Sequence, residues 1–295
     1  MTQSSFKQLL DSIRQLKVEL SPEEKLQLAN ELHEIQKLDY TDGELFLHAD
    51  STVERDLRSI SCRKEPMTVA WLKRELKPGD VLYDIGANVG AYSLIASHAS
   101  QRKATIYAFE PSFQNFRQLC RNIILNNCES SIIPFQIPLC KKHCLDRFHY
   151  QNLESGGALH SFSRNIDYKS EAFEPVVSLG MLGLSLNDLV EIPGVLLPDL
   201  LKVDVDGLEY DILLGASNVL QNSQLRSILI ELNEDLPEET QNIIDLLYAQ
   251  GLVPLEKHKL HRNLHNYIFE RDSSRAEESV HASGVKLASS REKGW

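Results

Sequence analysis

A chain of 295 residues with 42% hydrophobic content can bury one full core of about 220 residues and carry appendages besides. Its 31 Lys and Arg against 42 Asp and Glu leave a net charge of −11, which argues against nucleic acid or an acidic membrane surface as partner, since both need clustered cations. Five scattered cysteines (Cys62, Cys120, Cys128, Cys140, Cys144) point to free thiols in a reducing cytoplasmic setting rather than a disulfide framework, and no apolar run is long enough for a membrane span.

Residues 1–40 read as helical. Phe6, Leu9, Leu10, Ile13 and Leu16 recur at helical spacing, and Ser21-Pro22-Glu23-Glu24 is a helix start with a capping box. Leu26, Ala29, Leu32 and Ile35 or Leu38 give the second helix its apolar stripe. Two short amphipathic helices are not stable alone in water, so this helical extension over residues 1–60 must cover the main domain, another copy of the chain or a substrate. A homo-oligomer formed through these helices is one such arrangement.

The main domain spans residues 61–271. A helix led by residues 64–72 stops near Lys77-Pro78-Gly79. Val81, Leu82 and Tyr83 then form a buried strand with Asp84 at its carboxyl tip, followed by a tight turn through Gly86, Ala87, Asn88 and Gly90 and a helix from Ala91. Strand, glycine turn and helix amino end make a ligand cradle, because glycine admits close backbone approach and the free N–H groups hold an anionic group. The spacing is G-x-N-x-G with an acid two residues ahead, not G-x-G-x-x-G. A carboxylate there would repel the pyrophosphate of a dinucleotide. It suits S-adenosylmethionine, which brings a zwitterionic amino acid and a sulfonium.

The alternation continues. A second strand at residues 105–109 ends in Glu110-Pro111, a helix covers residues 113–126, and a third strand covers residues 132–139. Residues 140–180 interrupt with polar, Gly-containing text that predicts a small hairpin insertion over the carboxyl edge. A short helix begins at residues 185–189. A fourth strand at residues 200–205, a helix at 210–220, a fifth strand at 227–232 and a helix at 237–250 follow, and residues 252–260 and 266–270 pair as a closing hairpin. The whole predicts an α/β doubly wound sheet, mostly parallel with an antiparallel closing hairpin. Residues 272–295 are apolar-poor and predict a disordered tail.

Open α/β sheets bind ligands at the carboxyl ends of their strands. Glu110 stands at such an end, where its two oxygens can accept both hydroxyls of a ribose. In the fourth strand Leu201, Val203 and Val205 alternate with Lys202, Asp204 and Asp206, so one face of a central strand carries three charges where apolar residues are the rule. Lys202 with Asp204 is either a structural ion pair or part of a site that also takes in Asp206, Glu209 and, at the tip of the fifth strand, Glu231. Such acids attract a sulfonium, activate a hydroxyl or hold a divalent ion. A divalent metal is compatible with these acids but is not predicted. Cys140, His143 and Cys144 have no second Cys/His pair to complete a zinc site, and His258, His261 and His265 fall in a basic turn of the closing hairpin.

The segments DIGANVG (residues 84–90), FEP (109–111), SLNDL (185–189), LLKVDVDGLEYDILLGA (200–216) and ILIELNE (228–234) resemble FkbM-family methyltransferases in order and spacing. The resemblance implies a class I, Rossmann-like fold that is S-adenosylmethionine-dependent, and O-methylation of a sugar or polyketide-type acceptor. Asp84, Gly86, Asn88 and Gly90, with Ala87 and Pro111 beside them, match the cofactor site, Glu110 its ribose-binding acid, and Lys202, Asp204, Asp206 and Glu209 the signature beside the methyl acceptor. Where the family often reads A-L-S-D after the third strand, this chain has Pro138-Leu139-Cys140-Lys141, so that stretch is not expected to supply a polar contact to the adenine ring. The expected mechanism is in-line methyl transfer with Asp204 as base and Lys202 orienting it or stabilising the alkoxide. His160, in a loop, is a poorer base. The rival readings are an NAD-dependent oxidoreductase, which would keep Glu110 but need the three-glycine turn, and a non-catalytic S-adenosylmethionine-binding protein, which would lack the acceptor-side charges.

Overall fold

Residues 3–166, 169 and 171–272 are described by a computed structural model of the chain. The amino-terminal helices are α1 (Gln3–Glu19) and α2 (Pro22–Glu31). Ser21 and Glu24 close the capping box at the start of α2, the Ser21 hydroxyl accepting from the Glu24 N–H and the Glu24 carboxylate accepting from the Ser21 N–H. Leu26 and Leu32 stay exposed. The expected helix over residues 35–40 is not there. Ile35–Lys37 (β1) and Phe46–His48 (β2) pair as an antiparallel ribbon, and Leu38, Leu45 and Leu47 join the main core beside Trp71, Leu72 and Leu94. Residues 1–60 are therefore helical only in part, because Leu38, bonded to Leu45 just past the ribbon, is buried in the main core and does not join the stripe of α2.

A π-helical turn (Glu54–Arg58), α3 (Ser61–Lys64) and α4 (Pro66–Glu75) lead into the alternating part: β3 (Val81–Ile85), α5 (Ala91–Ala99), β4 (Thr105–Phe109), α6 (Phe113–Leu125) and β5 (Ile132–Phe135). The insertion contains β6 (Cys144–Tyr150), β7 (Ser161–Phe162) and β8 (Val177–Gly183), an antiparallel sheet in the order β7-β6-β8 and so one strand larger than a hairpin. Then come α7 (Leu186–Val190), β9 (Leu200–Val203), α8 (Glu209–Leu214), α9 (Ser217–Gln221), β10 (Ser227–Asn233), α10 (Pro237–Ala249), β11 (Leu252–Lys259) and β12 (Leu264–Arg271). The helix expected over residues 210–220 breaks at Gly215, whose carbonyl accepts from the Asn187 N–H instead of continuing the ladder. Residues 273–295 of the expected tail lie outside the described residues.

The central sheet runs β11-β12-β10-β9-β3-β4-β5, with β10, β9, β3, β4 and β5 parallel and β12 and β11 antiparallel. Period-two alternation sends Leu82, Ile106, Leu200 and Leu229 to one face, against α4 and α5. It sends Tyr83, Phe109, Leu201, Val203 and Ile230 to the other, against α8 and α10. The class I, Rossmann-like architecture follows from this order. The chain leaves β3 toward β4 and β5, then returns to β9 and β10 on the other side, so the crevice between β3 and β9 is the switch point where such sheets take their ligands.

Candidate active site

The turn after β3 is built by backbone pairing. The N–H groups of Gly86 and Ala87 both donate to the carbonyl of Phe109 at 3.0 Å, which bends the chain across the tip of β4. Gly86 has φ 80°, and a Cβ on it would lie 1.9 Å from the carbonyl oxygen of Asp204. Only glycine fits both constraints. Asn88 follows at φ 51°; its N–H donates to Glu110 Oε2 at 2.8 Å and its amide to the carbonyl of Gly157 at 2.9 Å. Gly90, at φ 88°, opens α5.

Glu110 is held from both sides, Oε2 by Asn88 and Oε1 by the Ser112 N–H at 2.9 Å. It is buried at the tip of β4 yet lines the cavity. Burial pushes its carboxyl up to about 7, against the pull of the Ser112 and Asn88 N–H groups.

The cavity over these tips has a volume of about 650 Å³, ample for a nucleoside-sized ligand. Its two ends differ. Toward β5 it is walled by Ile137, Leu139, Phe148 and Phe162. Toward β9 and β10 it is charged. Lys202, 1% exposed, places Nζ 3.1 Å from Asp204 Oδ2 and 3.3 Å from Asp84 Oδ1, with the ring of Tyr92 5.3 Å away. Burial alone would lower the Lys202 pKa, but Asp204 and Asp84 outweigh it and raise it. Burial likewise works to raise Asp204, and Lys202 overrides it, so this carboxyl is held below the ordinary range. The neighbouring acids have no such partner. Burial pushes Asp206 up to about 6, and it drives Glu209 and Glu231 well above normal with help from the surrounding carboxylates.

Of the residues singled out by sequence, Gly86, Ala87, Asn88, Glu110, Pro111, Asp204 and Asp206 line the cavity. Asp84, Gly90, Lys202 and Glu209 stand behind that wall. Asp84 accepts from Ser93 Oγ at 2.6 Å and faces Lys202, while Lys202 reaches the cavity through Asp204. The strand carrying Lys202 ends at Val203, so Asp204 and Asp206 are not strand positions but belong to the turn beyond it. Glu231 and His160 also line the cavity. Among the described residues no three His, Cys, Asp or Glu side chains are grouped to hold a metal ion.

Sequence reasoning missed Arg58, Lys64, Glu65 and Tyr92, which also line it. Arg58 donates from Nε and Nη2 to the carbonyl of Gly156 at 2.9 and 2.6 Å, and Ser155 Oγ donates to the buried Glu54 at 2.6 Å. The amino-terminal segment and the insertion thus meet over the turn after β3. These contacts join residues about a hundred positions apart, and no local pattern announces them.

A family model described as "Methyltransferase FkbM domain" matches residues 84–270. The hexuronic acid methyltransferase AglP of Haloferax volcanii is 27% identical over 212 residues, 72% of this chain and 79% of that protein. The 31-O-demethyl-FK506 methyltransferase FkbM of Streptomyces tacrolimicus is 23% identical over 195 residues, covering 60% of this chain and 74% of that one. Among solved structures, methyltransferase FkbM from Methylobacillus flagellatus KT aligns at a TM-score of 0.45 and 14% identity, over 66% of this chain and 44% of that one.

Proposed function

The chain belongs to the FkbM methyltransferase family, and from that premise we propose that it is an S-adenosylmethionine-dependent O-methyltransferase acting on a hydroxyl of a saccharide or natural-product acceptor. One observation carries this reading: a single cavity is lined by the turn at Gly86, Ala87 and Asn88, by Glu110 with one N–H bond on each oxygen, and by Asp204, which the buried Lys202 keeps ionised. A sulfonium is attracted to the ionised Asp204, whereas the G-x-N-x-G turn lacks the three-glycine spacing that cradles the pyrophosphate of a dinucleotide.

The residues fit the cofactor in order along the sheet. The turn at Gly86, Ala87 and Asn88 admits the amino-acid portion, Glu110 accepts from the ribose hydroxyls, and the apolar end over β5 receives the base. S-adenosylmethionine supplies a methyl group already activated by its positive sulfur. The protein's part is alignment, worth up to roughly 7–11 kcal/mol in well-oriented systems, and removal of one proton. As the acceptor oxygen gains the methyl, its hydrogen becomes strongly acidic. A carboxylate held ionised below the usual range therefore suffices to take it, and Asp204 is that base. Lys202 keeps Asp204 charged and fixed, and Asp84 and Ser93 fix Lys202 in turn.

The two relatives bear names for acceptors of these classes, a hexuronic acid and a demethylated FK506. A neutral hydroxyl also suits an acid-crowded site better than a second carboxylate does. Isothermal titration tests the reading: S-adenosylhomocysteine should bind and NAD should not. Its release can then be followed over panels of sugars and hydroxylated small molecules. NAD binding in place of S-adenosylhomocysteine would overturn the assignment.

A further inference from the structure

The apolar end of the cavity contains one polar atom without a partner. His160 is 9% exposed and lines the cavity, and its Nε2 is buried with no hydrogen bond. The other ring nitrogen, Nδ1, receives the N–H of Gln151 at 3.3 Å. An amide N–H only donates, so Nδ1 carries no proton. Burial lowers the His160 pKa to about 4, so near neutral pH the ring is uncharged and its single proton sits on Nε2. The result is a buried donor with nothing to donate to, an arrangement that folded proteins rarely keep without use.

Its position says what the acceptor is. Residues 160 and 162 flank Ser161 on β7, and Phe162 pairs with Phe148. His160, Phe162, Phe148 and Tyr150 therefore present one face of the small sheet, with ring centroids 5.9 Å from His160 to Phe148 and 5.2 Å from His160 to Tyr150. Tyr150 Oη accepts from the Phe113 N–H at the start of α6, which fixes this face above the tips of β4 and β5. Glu110 marks the ribose position, and the charged end lies on the β3 and β9 side of it. The part of the ligand that reaches Phe148 and Phe162 is therefore its flat, aromatic end.

We propose that His160 recognises the adenine of the cofactor, donating its Nε2–H to a ring nitrogen that accepts. This rests on the S-adenosylmethionine reading given above. His160 is then a specificity residue for the base. The three-stranded insertion, rather than the stretch after β5, supplies the polar contact to the base.

Titration calorimetry with the full chain tests this, using S-adenosylhomocysteine and its 1-deaza, 3-deaza and 7-deaza analogues, each lacking one ring nitrogen. His160→Phe keeps an aromatic ring and removes the donor, and should raise the Kd for S-adenosylhomocysteine about five- to tenfold, the effect of one neutral hydrogen bond. His160→Gln, which keeps an N–H, should recover part of the loss. One deaza analogue should bind the wild type more weakly by a similar factor and be insensitive to His160→Phe. Equal affinity of folded wild type and His160→Phe, or an equal loss with the parent and all three analogues, would overturn the proposal and leave the cofactor assignment standing. Should His160→Phe fail to fold, the analogues on wild type decide: affinity indifferent to all three nitrogens overturns it. Absence of any S-adenosylhomocysteine binding to wild type would sink the cofactor assignment and this proposal together.

Discussion

Lys202 Nζ and Asp204 Oδ2 lie 3.1 Å apart, the lysine 1% exposed and the aspartate 28% exposed where it meets the cavity. This asymmetry separates the roles of the pair. Asp204→Asn preserves volume but cannot take a proton, so turnover should fall by about 10²–10⁴ while S-adenosylhomocysteine affinity changes little. A folded Asp204→Asn protein that methylates at the wild-type rate would remove Asp204 from the chemistry.

Lys202→Met should act first on stability. It leaves Asp84 and Asp204 buried without their shared cation, a loss of about 3–5 kcal/mol that a thermal melt registers directly. An unchanged melting temperature would mean that these carboxylates do not depend on Lys202.

Glu110 predicts a pH dependence. Its folded-state pKa is pushed up to about 7, above the unfolded value, so ionising it works against the folded protein, and stability contributed by this group rises as pH falls toward 4.5. Ligand binding runs the other way on the proposed reading, in which ribose hydroxyls donate to the charged carboxylate. S-adenosylhomocysteine affinity should therefore weaken as pH falls through about 7. Glu110→Ala should lose about 1.5–3 kcal/mol of binding at neutral pH. Glu110→Gln should flatten the profile by about one proton, and a profile unchanged by it would assign the titration to other acids.

Gly86→Ala should already fail, since its Cβ would fall 1.9 Å from the Asp204 carbonyl and L-residues are strained at that φ. The expected outcome is a destabilisation of about 1–3 kcal/mol or more together with loss of cofactor binding. A wild-type melting temperature would refute the close approach. The sequence-based reason for glycine here, room for the ligand, is thus joined by a backbone reason.

Arg58→Ala removes both bonds to the Gly156 carbonyl. The loop over the turn should loosen, with faster protease cleavage near residues 151–160 and weaker S-adenosylhomocysteine binding. Cleavage at the wild-type rate would mean that Glu54 and Ser51 hold the loop without it.

What was legible in the sequence is what is local. The turn from Asp84 to Gly90, the acid at position 110 and the alternation of β3 to β12 depend on neighbours within some twenty residues, and each leaves a pattern of spacing or periodicity. Two local patterns misled. The strip through Ile35 and Leu38 continues the helical period of α2 by coincidence, and the alternation at Asp204 and Asp206 continues a strand that has already ended. Arg58, Lys64 and the face carrying His160 were illegible because their places are set by tertiary pairing, such as Ser51 with Ser155 and Phe148 with Phe162. A lone histidine in a loop looks the same in sequence whether it is solvated or aimed at a base.

The sheet order also constrains how the chain comes to be made. β12, which follows β11 in the chain, inserts between β10 and β11 and pairs with β10 along all seven of its residues, from Ser227 to Asn233. During synthesis β10 therefore emerges with one edge bare until residues 264–271 follow. A ribosome that stalls or terminates before residue 264 releases a product whose apolar strand Ser-Ile-Leu-Ile-Glu-Leu-Asn is open to pairing with other copies. Truncated translation products of this protein should therefore aggregate rather than persist as soluble fragments.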